Sequence, residues 1–168
     1  MGLSLLTGVT APALALCDQP HRCDTISRRT NLAAIRGVVK IIHVYNDPDG
    51  ESHIRDVELP VTERSTGGTD ISRFAETVPA TEMVLREVVH NNDKVEFHHP
   101  AARQFVVHLS GEAEIETSDG DVRRIRPGDI LFAEDMVGRG HKFKPLGSSP
   151  RMTIFVRVPE GWRLPVSH

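Results

Sequence analysis

The sequence predicts an all-β domain, an antiparallel sandwich or barrel. Three observations carry that expectation. Short β-branched and aromatic runs follow one another from residue 81 to residue 158, Gly-, Pro- and Asp-containing turns separate them, and no helical period survives past residue 80. A length of 168 residues fits one such domain and leaves no room for two enzymatic ones. At that size a single core buries roughly 68–70% of the unfolded surface, so neither a disulfide nor a metal is needed for stability alone.

Taken in order, residues 1–36 read as an N-terminal arm. Its apolar start has no Lys or Arg in front of it, contains Gly8 and Pro12, and falls short of the ~20 residues a membrane span requires. Neither a cleaved signal nor a membrane helix is expected. Leu6 stands where N-myristoylation wants Ser or Thr. Cys17 and Cys23 flank His21, but no second Cys pair completes a zinc site, so they read as ordinary thiols in a reducing cytoplasm.

Residues 38–45 and 53–59 form a hairpin around Asn46-Asp47-Pro48-Asp49-Gly50. A loop over 60–68 and a short helical turn within 69–77 follow, then a strand over 81–89. Further strands are expected at 104–109, 112–117, 122–126, 130–133 and 152–158, punctuated by Ser110-Gly111, Ser118-Asp119-Gly120 and Pro127-Gly128-Asp129. The domain thus spans 37–160, with a C-terminal tail over 161–168. Alternation of Glu112, Glu114 and Glu116 with Ala113, Ile115 and Thr117 predicts one wet face and one packed face. In the preceding strand Gln104, Val106 and His108 share one face and Phe105, Val107 and Leu109 the other. Cover on both sides is expected, the outer one from a partner subunit or the arm.

Charge narrows the function classes. Twenty Lys plus Arg against 23 Asp plus Glu, with 5% aromatics, supply neither a basic stripe for phosphates nor stacking platforms for bases. Arg28, Arg29 and Arg36 precede the first strand, but Gly8, Pro12 and Pro20 break any two-helix DNA-binding pattern.

Five of the nine histidines, His90, His98, His99, His108 and His141, fall between residues 90 and 141, and imidazole is a common ligand for transition metals. Gln104 and Gly111 have the spacing that ends the first motif of the cupin superfamily, with His98 or His99 at one of its histidine positions. Gly128-Asp129 and Gly138-Arg139-Gly140-His141 match the glycines and the histidine of the second motif. Gln104 stands where that family has Glu, Met136 where it has Pro, and Pro145 where it has Asn. Over residues 80–158 the chain resembles small single-domain cupins. The resemblance implies an antiparallel cupin-type β-barrel, a jelly-roll-like double-stranded β-helix carrying an N-terminal extension.

The same resemblance implies one divalent transition metal, zinc, iron, manganese or nickel, held by His98 or His99, Gln104 and His141. A neutral amide in place of the carboxylate leaves the ion more of its charge, which suits polarising a carbonyl. The alternative is a vestigial site whose polar groups pair with their neighbours. His108, on the face of Gln104, reads as a fourth ligand, a general base or a satisfied core histidine. Glu134 and Asp135 read as carboxylates that orient a ligand histidine or carry a proton, or as a solvated loop pair. Arg86, Arg103 and Arg126 are candidates to clamp a carboxylate or phenolate, or lie on a wet surface. His43 and His53 are expected to be exposed in the hairpin, and His168 is terminal.

Three functions compete. The first is a small metalloenzyme of isomerase, cyclase, dehydratase or decarboxylase type acting on a carbonyl or enolisable substrate, by analogy with small cupins of secondary metabolism. The second is an iron-dependent dioxygenase using the same residues. The third is a non-catalytic barrel that binds a small ligand or dimerises. In each, a cytoplasmic homodimer with a small-molecule ligand and no nucleic-acid or membrane partner is expected.

Overall fold

The computed structural model describes residues 38–67, 70–89, 95–148 and 150–165, which form ten strands and, among these residues, no helix. The N-terminal arm with Cys17 and Cys23, together with His90 and His168, lies outside the described residues. Strand β1 (Val38–Asn46) turns at Asp47, whose side chain accepts from the Glu51 amide at 2.8 Å, into β2 (Ser52–Gly67). The expected loop over 60–68 and helical turn over 69–77 are both corrected. β2 runs on to Gly67 and pairs with β3 (Asp70–Ala75). Pro60, with no N–H to donate, sits where β2 changes partner from β1 to β3, and the β-branched Val61 and Thr62 that follow favour an extended chain.

The remaining strands are β4 (Glu82–Val88), β5 (Gln104–Ser110), β6 (Glu112–Thr117), β7 (Val122–Ile125), β8 (Ile130–Ala133), β9 (His141–Leu146) and β10 (Arg151–Arg157). β9 has no counterpart in the sequence reading, because Lys142, Lys144 and Pro145 hide it from an apolar pattern. Charge complementarity reveals it instead. Lys142 lies opposite Glu116 at 2.8 Å and Lys144 opposite Glu114, while Arg124 of β7 pairs with Glu112 from the other side.

The strands make a seven-stranded sheet, β3-β2-β1-β8-β5-β10-β4, and a three-stranded sheet, β7-β6-β9. The expected antiparallel barrel is therefore corrected to a mixed seven-stranded sheet and an antiparallel three-stranded one. β1 and β8 run parallel, Ile42 beside Leu131 and Val44 beside Ala133, and no described strand closes the ring. Parallel neighbours need a long connection, and here most of the domain lies between them.

Each face of the larger sheet has its own core. Val44, Val106 and Leu131 meet Ile115 and Ile125 of the smaller sheet on the inner face. On the outer face Ile41, Val57, Leu59, Phe105 and Phe132 are covered by Trp162 and Leu164. The tail set off at 161 thus joins the core, and the outer cover of β5 comes from this chain's own C-terminus. Burying a side chain such as Phe132 contributes about 2–3 kcal/mol to the fold. Beyond that cover, Leu109 of β5 and Met83 and Leu85 of the edge strand β4 remain exposed.

Candidate functional site

A cavity of about 440 Å³ opens on the inner face of the larger sheet. Side-chain alternation dictates its lining: β5 offers Gln104 and Val106, and β10 offers Arg151, Thr153, Phe155 and Arg157. Strand register sorts these residues into layers. Gln104 lies beside Arg157 and Ala133 at one end; Val106, Phe155, Val84 and Leu131 form a belt; Thr153 lies beside Arg86 at the other end. Ile115 and Phe143 of the smaller sheet complete the belt, and His98, His99 and His141 complete the first end.

The pairing of His98 with His141 is built by the backbone. Each amide donates to the other's carbonyl, at 2.9 and 3.0 Å. Gly140 makes that approach possible: its φ is +71°, and a Cβ there would fall 2.2 Å from the His98 carbonyl oxygen. The two rings stand 4.9 Å apart between centroids. Nδ1 of His141 binds the fully buried Asp135 carboxylate at 2.7 Å, and Nδ1 of His98 donates to the Glu96 carbonyl at 3.1 Å. Both Nε2 atoms remain as ligand atoms. Two imidazoles sharing an ion through bonds of about 2.0–2.1 Å place their centroids roughly 4.5–5.2 Å apart, a range that includes the spacing of this pair. Gln104, buried and without a side-chain hydrogen bond among the described residues, supplies a third donor on the same wall. His99 differs from His98. Its Nε2 donates to the Gly138 carbonyl at 2.9 Å, which leaves Nδ1 as a proton acceptor at the exposed mouth.

Three sequence-selected residues, His108, Glu134 and Asp135, do not line the cavity wall. His108 is fully buried, donates through Nε2 to the Gly111 carbonyl at 3.1 Å and packs near Phe143. Burial, partly opposed by that hydrogen bond, lowers its pKa and keeps it neutral. Glu134 and Asp135, adjacent in sequence, part company: Leu131, Ala133 and Asp135 follow the inner parity of β8, Phe132 and Glu134 the outer one. Glu134 accepts from His43 at 2.6 Å and from Arg103, whose guanidinium also donates to the carbonyls of Glu160 and Trp162. Burial opposes its ionisation, but the bonds from His43 and Arg103 outweigh that and lower its pKa. His43, expected to be exposed, is 2% exposed. Arg55 donates to its Nδ1 at 3.1 Å, so the proton sits on Nε2 and points to Glu134.

Of the three arginines singled out from sequence, Arg86 lines the cavity, Arg103 serves Glu134, and Arg126 pairs with Glu112 at the surface. Arg151, Thr153 and Arg157 were missed. Their signal was available, since they alternate with Met152, Ile154 and Val156 along one strand.

A separate group could hold a metal ion: ligand atoms of Asp47, Glu51 and His53 lie within 4.8 Å of one another. His53, expected to be exposed, is instead clamped between Asp119 at 2.6 Å and Asp47 at 3.1 Å. The bond to Asp47, opposed by burial and reinforced by Asp119, raises its pKa. As an imidazolium it donates to both carboxylates and ties the β1–β2 turn to the β6–β7 turn, so an ion would first have to displace its proton. No helix among the described residues is long and apolar enough to cross a membrane. No family model matches the chain, and neither does any curated protein.

Proposed function

We propose that the cavity is the active site of a small metal-dependent enzyme of cupin type, its two sheets being an opened form of that barrel. The observation that carries this reading is the pair of rings 4.9 Å apart, each held through Nδ1 by an oxygen atom. His98, His141 and Gln104 would hold one divalent transition ion, zinc, iron, manganese or nickel. When bound, the ion would supply Lewis-acid polarisation of a substrate carbonyl or enolate. Asp135 fixes the tautomer and orientation of His141 and raises its basicity as a ligand. His99 accepts or returns a proton through Nδ1, and its bond to Gly138 keeps the ring in place. The belt of Val106, Leu131, Phe143 and Phe155 excludes water from an apolar substrate body. Isomerisation, dehydration or decarboxylation of a small carbonyl compound suits this set, and iron in the site would favour an oxygen-using reaction instead.

A binding module without turnover is the second reading, and one observation favours it: no Asp or Glu lines the cavity among the described residues. Elemental analysis of untagged full-length protein, wild type beside His141→Ala, separates the two. About one transition ion per chain, lost in the variant, is expected; metal-free wild type from metal-replete medium would overturn the enzyme reading.

A further inference from the structure

The end of the cavity away from His141 has a different chemistry. Arg151 is 8% exposed, lines the cavity and has a buried Nη1 without a hydrogen-bond partner among the described residues. Its guanidinium lies 4.8 Å from the Phe143 ring centroid, which supports the plane from one side and neutralises nothing. Arg86 reaches the same cavity from β4, and no carboxylate among the described residues pairs with either arginine. Burial, together with the neighbouring Arg86 cation, lowers the Arg151 pKa from the ordinary guanidinium value, the signature of a buried cation lacking a counter-charge. Leaving a guanidinium in this state costs stability unless something else compensates.

The backbone holds Arg151 there. Gly111, at φ +74°, presses against it, so that a Cβ at that position would lie 3.1 Å from the Arg151 Cβ. Thr153, two residues on and also buried, adds a hydroxyl on the same face, in register with Arg86. His108, across the ladder from Thr153, is never an anion and cannot supply the missing charge.

We propose that Arg151, Arg86 and Thr153 form a carboxylate-binding subsite, so that the ligand of this cavity is a small organic monocarboxylate with an apolar body. A planar guanidinium with an unused edge matches a carboxylate in bidentate fashion. The belt beside it favours a carbon skeleton over a free inorganic anion. Gln104 and His108 are four residues apart on β5, about 13 Å at the usual strand rise, so an acid anchored near Arg151 extends through the belt toward His98 and His141. The assignment of the reacting end rests on the metal-site reading; the carboxylate subsite rests on its own residues.

Calorimetric titration of the full-length, chelator-treated protein tests the subsite independently of any metal. The probes are benzoate, 3-phenylpropionate and 4-methylpentanoate, each beside its primary amide, and inorganic phosphate. At least one acid is expected to bind about tenfold or more tighter than its amide. Arg151→Met should abolish that preference while leaving the amide's affinity in place, and Arg86→Met, at a more exposed position, should reduce it without affecting folding. Equal affinity for acid and amide, no saturable binding of any acid, phosphate binding as tightly as the acids, or an Arg151→Met protein that keeps the preference would each overturn the proposal. Failure of the metal reading is seen separately, in the metal content of the untreated protein.

Discussion

Two polar clusters lie back to back on the seven-stranded sheet, and they treat their hydrogen bonds in opposite ways. On the outer face Arg55, His43, Glu134 and Arg103 form a chain that ends on two backbone carbonyls of the C-terminal segment. On the cavity side stand His108 Nδ1, Asp135 Oδ1, Arg151 Nη1 and Arg157 Nε, the buried side-chain atoms without a partner among the described residues. Buried polar groups are ordinarily paired, so a cluster that closes on itself reads as architecture and one that stays open reads as a place for something else. Both draw on charged and histidine side chains, so composition alone cannot tell them apart.

The largest effect should come from opening the closed cluster. Glu134→Ala leaves His43 without its acceptor and Arg103 without its carboxylate, and should cost about 3–4 kcal/mol in denaturant unfolding. A loss below about 1 kcal/mol would mean that the network is not structural. Next is Gly140→Ala, which puts a methyl group against the His98 carbonyl at a positive φ; about 2–3 kcal/mol of destabilisation should accompany loss of bound metal. Unchanged metal content in that variant would detach the His98 and His141 pairing from the site.

Asp135→Asn keeps an acceptor for His141 but removes the charge, so metal affinity should fall about 10–100-fold in a competition titration with a chelating dye. An unchanged affinity would make Asp135 a purely structural partner. On the open cluster the sign should reverse: Arg151→Met removes a buried unpaired cation and should raise stability by about 1 kcal/mol in the ligand-free protein. A loss of more than 1 kcal/mol instead would place Arg151 with the architecture.

The smallest effect concerns the hairpin clamp. The folded pKa of His53 lies above its ordinary 6.5, so its contribution is complete below that pH and fades as pH rises through the raised value. Asp47 is lowered by its bond to His53, and Asp119 is lowered because its hydrogen bonds outweigh burial. Their contributions are therefore present above the ordinary 3.8 and fade as pH falls through the lowered values. Stability from this clamp should peak between those limits. Unfolding midpoints of wild type and His53→Gln should converge toward high and low pH; a constant gap would sink the idea.

Much of the strand order was readable because alternation and turn residues act over short distances. The run from Gln104 to His141 contains four of the ten strands in full, and the sequence pattern located all four. β9 escaped because its pairing rests on charges supplied by β6, a partner no local pattern names. The extension of β2 escaped for the same reason, since its outer half is held by β3. At the site, His98, His99, Gln104 and His141 were chosen by type and spacing. What distinguishes His98 from His99 is the carbonyls of Glu96 and Gly138, which bind different ring nitrogens in the two residues.

By itself the sequence determined that the domain formed by the described residues is all-β, which faces of its strands are apolar, and which histidines and glycines recur at close spacing. Those properties follow from residue type and a two-residue period, which need no knowledge of neighbours. Only the tertiary structure decided that Glu134 belongs to one side of the sheet and Asp135 to the other, that His108 is fully buried near Phe143, and that Arg151 meets no carboxylate among the described residues. Whether a polar group is satisfied depends on atoms brought from distant parts of the chain, and the balance of buried charge is set when the sheets come together.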